Sequence, residues 1–260
     1  MNCLRPLALL LSFMLLGCVG TTGGDLLTVE ASVSGPPEAA GSLSFVTGRG
    51  YRVDLTEARI FVGGVYLNQS RPTSVSAETV CGLPGIYVTQ ILGGREFDLL
   101  SGAPQAFPNS GFSTTERALT AEVWLTSGDV NQPSSDTVIL RVAGIATKNG
   151  ADYPFSGELT IGQNRTIEPT NPALPGQHPI CKQRIVSPIP VDLKPTTGSS
   201  LAVQIDPRPM FGNVDFTTLT ETDGVYRFAD ETGVDQASDN LYAGLRRSTG
   251  VYAFSLETPQ

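Results

Sequence analysis

Apolar and polar residues alternate with a period of two along most of this chain, beginning at Leu43/Phe45 and continuing as Tyr51/Val53/Leu55 against Arg52/Asp54/Thr56. A half-buried strand produces this pattern, because successive side chains point to opposite faces of a sheet. Ala58 to Val62 continues the run, and Val65-Tyr66-Leu67 resumes it after Gly63-Gly64, a glycine pair that predicts a tight turn or a bulge. Leu119/Ala121/Val123/Leu125 alternates against Thr120/Glu122/Trp124/Thr126, and Val138/Leu140/Val142 follows; these read as core strands. Asn149-Gly150 stands between Ala143 to Lys148 and the series Tyr153, Phe155, Gly157, Leu159, Ile161, and it predicts a hairpin closed by a type I′ turn.

Leu201/Val203/Ile205, Val225/Tyr226/Phe228 and Val251 to Leu256 predict further strands. Only 238–247 has helical spacing, with Leu241, Tyr242 and Leu245 on one side and Ser238 or Asp239 near its cap. The stretch 169–179 holds four prolines, so it cannot pair as a central strand and reads as a long loop. Short strands with Gly, Pro and Asn turns predict an all-β protein, a β-sandwich or barrel-like set of antiparallel sheets with one short C-terminal helix.

The N-terminus departs from this pattern. Arg5 precedes an apolar run over 7–16 broken only by Ser12, and Gly17-Cys18 follows, which is the order of a signal peptide. The run is too short for a bilayer core that takes roughly 20 helical residues. Leu15-Leu16-Gly17-Cys18 resembles the lipobox of bacterial lipoproteins. The resemblance implies cleavage before Cys18, a thioether-linked diacylglyceryl group on its sulfur, and palmitate or a similar acyl chain on its amine. Two or three chains hold a protein to a membrane stably, where one does so only marginally. The resemblance also implies a cell-envelope location, and Val19 in place of an aspartate after the lipidated cysteine points to the outer membrane, on its periplasmic or surface side.

Three parts follow: a lipoprotein signal peptide at 1–17, a lipidated tether at 18–42 rich in Gly, Ser and Pro, and a single β-rich domain at 43–260. A short apolar island from Leu26 to Val33 lets the tether contribute a first strand. Removing 1–17 takes away Arg5, leaving 16 basic against 25 acidic side chains, so the net charge goes from −8 to about −9. Nucleic acid is thereby disfavoured as a partner, and an anionic lipid surface would repel the body, which is expected to stand off its membrane.

Cys3 leaves with the signal and Cys18 carries lipid, so the folded body keeps Cys81 and Cys181. In an oxidising envelope these are expected to form a disulfide.

Catalytic signatures are sparse. His178 is the single histidine and lies beside Cys181, and there is no His-Glu-x-x-His, Gly-x-Ser-x-Gly, phosphate-binding loop or Cys-x-x-Cys. The expected function is therefore that of a non-enzymatic envelope protein, with no cofactor, that binds an envelope protein or glycan or supports the envelope. Two alternatives stand beside it. One is metal or small-ligand binding: Asp230, Asp235 and Asp239 gather hard oxygens of the kind calcium takes, and His178 with Met210 and Trp124 offers a set for copper. The other is a carbohydrate-active enzyme using two of the many carboxylates. The segment from Ser42 to Leu67, with Arg59-Ile60-Phe61-Val62 and Val65-Tyr66-Leu67, resembles the opening of exported MbnP-type copper-binding β proteins; it contains no metal-binding motif.

Overall fold

The computed structural model describes residues 26–70, 86–126, 135–161, 185–231 and 233–257. The signal over 1–17 and the residues Cys18, Cys81, His178 and Cys181 lie outside the described residues.

The body is a large curled sheet organised on one long strand, β3 (Arg52–Asn68), which follows β1 (Leu27–Ser34) and β2 (Leu43–Val46). On one side of β3 lie β2, paired to its first residues, and then β4 (Tyr87–Asp98), paired from Arg59 onward. Its other side carries β8 (Ser135–Lys148) against its first half and β7 (Ala118–Trp124) against its last five residues. A strand of this length cannot stay flat, because the right-handed twist accumulates along it. Bulges absorb the bend: the register shifts between Leu55 and Glu57 against β8, and between Val62 and Gly64 against β4.

The second shift settles the role of Gly63-Gly64 as a bulge inside a continuous strand. A Cβ at Gly94 of β4 would lie 2.2 Å from the Gly63 Cα and 2.3 Å from the Val62 carbonyl oxygen. The two backbones meet there too closely for any side chain between them.

Beyond β8 the sheet adds β9 (Ala151–Ile161), joined through Asn149 (φ 54°) and Gly150 (φ 79°), the two left-handed residues of the expected type I′ turn. The short β12 (Thr220–Thr222) and β13 (Val225–Arg227) complete that edge. In the other direction β4 pairs with β6 (Gly111–Ser113), β6 with β1, and β1 with both β5 (Gln105–Ala106) and β11 (Ser200–Ile205); β11 pairs with β14 (Tyr252–Glu257). β10 (Ile185–Leu193) pairs with β7.

One feature differs from the sequence expectation. The sheet is mixed, because β1–β11 and β13–β9 are parallel. Alternation marks a strand's faces but is silent on the direction of its neighbour, and parallel partners are joined only by long connections. The apolar island from Leu26 to Val33 contributes the first strand, β1, with Leu27, Val29, Ala31 and Val33 buried in the core.

The concave face holds the core. Phe211 and Phe216, carried on two 3₁₀ turns (Arg208–Phe211 and Phe216–Thr218), stack at 6.3 Å with an interplanar angle of 10°. Phe155 lies 4.9 Å and Tyr51 5.1 Å from the Phe216 ring, centroid to centroid. The helix α1 (Gln236–Leu245) closes this end with Leu241, Tyr242 and Leu245 buried. Its cap is Asp235, whose carboxylate accepts from the Ser238 N–H at 2.6 Å, so the helix starts two residues before the 238–247 span expected.

Candidate functional site on the outer face of the sheet

The outward face of β3 changes character at the Gly63-Gly64 bulge. Before it the outward residues are Arg52, Asp54, Glu57 and Arg59, all at least partly exposed. Glu96 of β4 accepts from Arg59 at 3.2 Å and from Arg141 of β8 at 3.2 Å, and Arg141 also pairs with Glu158 of β9. Open ion pairs of this kind contribute about 0–1 kcal/mol each, and they form an ordinary solvated surface.

After the bulge the outward residues are Gly64, Tyr66 and Asn68, and all three are buried. They face Thr120, Glu122 and Trp124 of β7, because the register sets Gly64 opposite Trp124, Tyr66 opposite Glu122 and Asn68 opposite Thr120. Alternation placed Glu122 and Trp124 on the solvent side of their strand. The structure instead buries both faces of β7: Glu122 is 1% exposed and Thr120 and Thr126 are equally closed off.

Glu122 is the only Asp or Glu among the fully buried described residues. Asn68 Nδ2 donates to its Oε1 at 2.6 Å, and Trp124 Nε1 donates to its Oε2 at 3.3 Å. Tyr66 packs against Trp124 at a tilt of 34°, with centroids 4.6 Å apart, and meets Tyr87 of β4 at 5.2 Å. Gln90 donates to the Tyr66 hydroxyl at 3.4 Å, and Asn68 Oδ1 is buried with no partner among the described contacts.

These surroundings decide the charge. Burial pushes the Glu122 carboxyl up to about 7, against the lowering effect of its hydrogen bonds from Trp124 and Asn68. Burial also pushes the Tyr87 hydroxyl up to about 12, with the negative charge of Glu122 adding to the effect. The cluster is thus a carboxyl able to hold or release a proton near neutrality, set among three aromatic rings.

Trp124 is the only tryptophan in the chain, so it reports on its neighbour. The intrinsic fluorescence should titrate with a midpoint of about 7 as Glu122 ionises against the indole N–H, and Glu122→Gln should abolish that titration. An emission spectrum unchanged between pH 5 and pH 9 would contradict the assignment.

The three carboxylates singled out for metal sit elsewhere. Asp230 accepts from the Thr160 N–H at 2.6 Å and from the Thr160 hydroxyl; Asp235 caps α1; Asp239 accepts from the Gly233 N–H at 3.1 Å. Each carboxylate binds a local turn or a neighbouring strand, and no group of three or more His, Cys, Asp and Glu converges among the described residues. Met210 is in the core, against the backbone of Gly244. Of the two described residues of the copper set, Met210 and Trp124, only Trp124 belongs to the outer cluster.

Sequence reasoning missed Asn68, Tyr66, Tyr87 and Glu122 as a group. The available signal was an aromatic on the polar side of two strands, Tyr66 and Trp124, where a solvated face carries small polar or charged residues.

No family model matches the chain, and no curated protein matches it. Among solved structures the chain is similar to MbnP from Methylosinus trichosporium, with a TM-score of 0.41 and 10% identity over 89% of this chain and 98% of that one. A likeness at that TM-score carries no weight for function.

Proposed function

We propose that the protein is a lipid-anchored envelope protein with a binding role, not an enzyme, and that the aromatic half of the outer face is its binding surface. The observation that carries this reading is Glu122, a carboxyl buried on the outside of the sheet between Asn68, Trp124 and Tyr66. Such a group lowers stability wherever it is charged, and groups of that kind concentrate at functional sites. A catalytic pair of carboxylates would need a second acid beside it, and among the described residues Glu122 is the only buried one.

The anchor is tested by Cys18→Ser. The wild-type protein should fractionate with outer-membrane density and carry acyl chains on its N-terminal peptide, and the variant should lose the chains and appear in the soluble fraction. Co-migration of the wild type with inner-membrane markers would overturn the sorting, and a soluble wild type would overturn the anchor. The binding role is tested against catalysis by a glycan-hydrolysis screen: activity that Glu122→Gln removes would make the protein an enzyme.

A further inference from the structure

Four of the eight large apolar side chains left exposed among the described residues gather on this same outer face: Leu26, Tyr87, Leu92 and Phe112. The register puts them together. Phe112 of β6 stands opposite Thr28 of β1 on one side and Gln90 of β4 on the other. Leu26 and Leu92 are each two residues along the same strand paths, so they share the Phe112 face. Tyr87 continues the patch to the Tyr66 ring. Leu26 is 72% and Phe112 63% exposed, so these are open side chains and not the lip of a core.

We infer that this patch rests on the lipid surface beside the protein's own anchor. The inference rests on the lipid-anchored reading of Cys18, and three observations support it. Leu26 is itself part of the patch and follows Cys18 by eight residues, a reach of at most about 28 Å even fully extended. The anchor therefore holds Leu26, and this edge of the sheet with it, within that reach of the membrane. The patch contains no Lys or Arg, and the mature chain is strongly acidic, so its affinity would come from apolar contact with uncharged lipid and not from headgroup charge. Tyr87, with Tyr66 and Trp124 behind it, supplies the amphipathic rings that favour the headgroup layer. A body docked in this way lies on its membrane, whereas composition alone suggested one held away from it.

Trp124 provides the test. It and Leu92 flank Gly64 in one row of the sheet, so they lie about 10 Å apart at the backbone. The full lipidated chain is reconstituted into phosphatidylcholine vesicles whose acyl chains carry bromine, a short-range quencher of indole emission. The wild type should float with the vesicles and be quenched. Leu92→Ser/Phe112→Ser should float equally, through its anchor, and lose about half or more of the quenching. Both positions are exposed, so the variant should keep the wild-type melting temperature; Phe112→Ser alone serves if the pair does not fold. A wild type that floats without quenching, or equal quenching in both proteins, overturns the docking and leaves the anchor standing. A wild type that fails to float overturns both. A dimer in detergent that the double variant abolishes assigns the patch to a second copy of the chain instead.

Discussion

Glu122→Gln should stabilise the folded protein by about 3 kcal/mol at pH 8 and leave it unchanged at pH 4. The sign follows from a folded pKa raised to about 7 from the usual 4.5 of a glutamate. Below pH 4.5 the carboxyl is protonated in both the folded and the unfolded chain and contributes nothing. Between pH 4.5 and 7 the unfolded chain gives up the proton and the folded one keeps it, so wild-type stability falls as pH rises. Above 7 both are ionised, and the full cost of a buried charge is present. Glutamine has the same shape and no charge, and its amide can donate to the Asn68 oxygen that stands without a partner. Urea unfolding at pH 4 and pH 8 measures both arms. A variant less stable than wild type at pH 8 would mean that the carboxylate is needed in its charged form.

Phe216→Ala should cost about 4 kcal/mol, and for a body of this size the melting temperature should fall by about 12 °C. Phe216 is fully buried and touches Phe211, Phe155, Tyr51 and Phe228, which come from widely separated parts of the chain. Those neighbours are rings on separate elements, so they cannot collapse together into the space a benzyl group leaves. Tyr51 is held in addition by its hydroxyl, which donates to Asp215 at 2.6 Å. A calorimetric loss under about 1 kcal/mol would show that the site relaxes, which the rigid 3₁₀ turns argue against.

The two variants separate what the two faces of the sheet do. The concave face is apolar and gains stability from every ring it buries. The outer face, past the Gly63-Gly64 bulge, buries a carboxyl at a net cost and leaves apolar groups open beside it. A protein selected for stability alone would carry neither feature.

Local chemistry made several elements legible in the sequence. Asn149-Gly150 specifies its turn because few residue pairs tolerate two successive positive φ angles, and the hairpin forms where expected. The strands around Val53, Val123, Leu140 and Val203 announce themselves because one face of each meets the core. The export signal with Cys18 is an expectation of the sequence alone, since it lies outside the described residues. The tertiary structure decided the rest. Whether β1 pairs parallel to β11 depends on residues some 170 positions apart, and alternation is identical for either direction. Whether Glu122 faces water or a closed cluster depends on what covers the second face of β7, and a strand's own residues do not carry that information. The outer site was hidden for this reason: a period of two divides a strand into two faces, but only the packing of distant segments determines whether one face or both are buried.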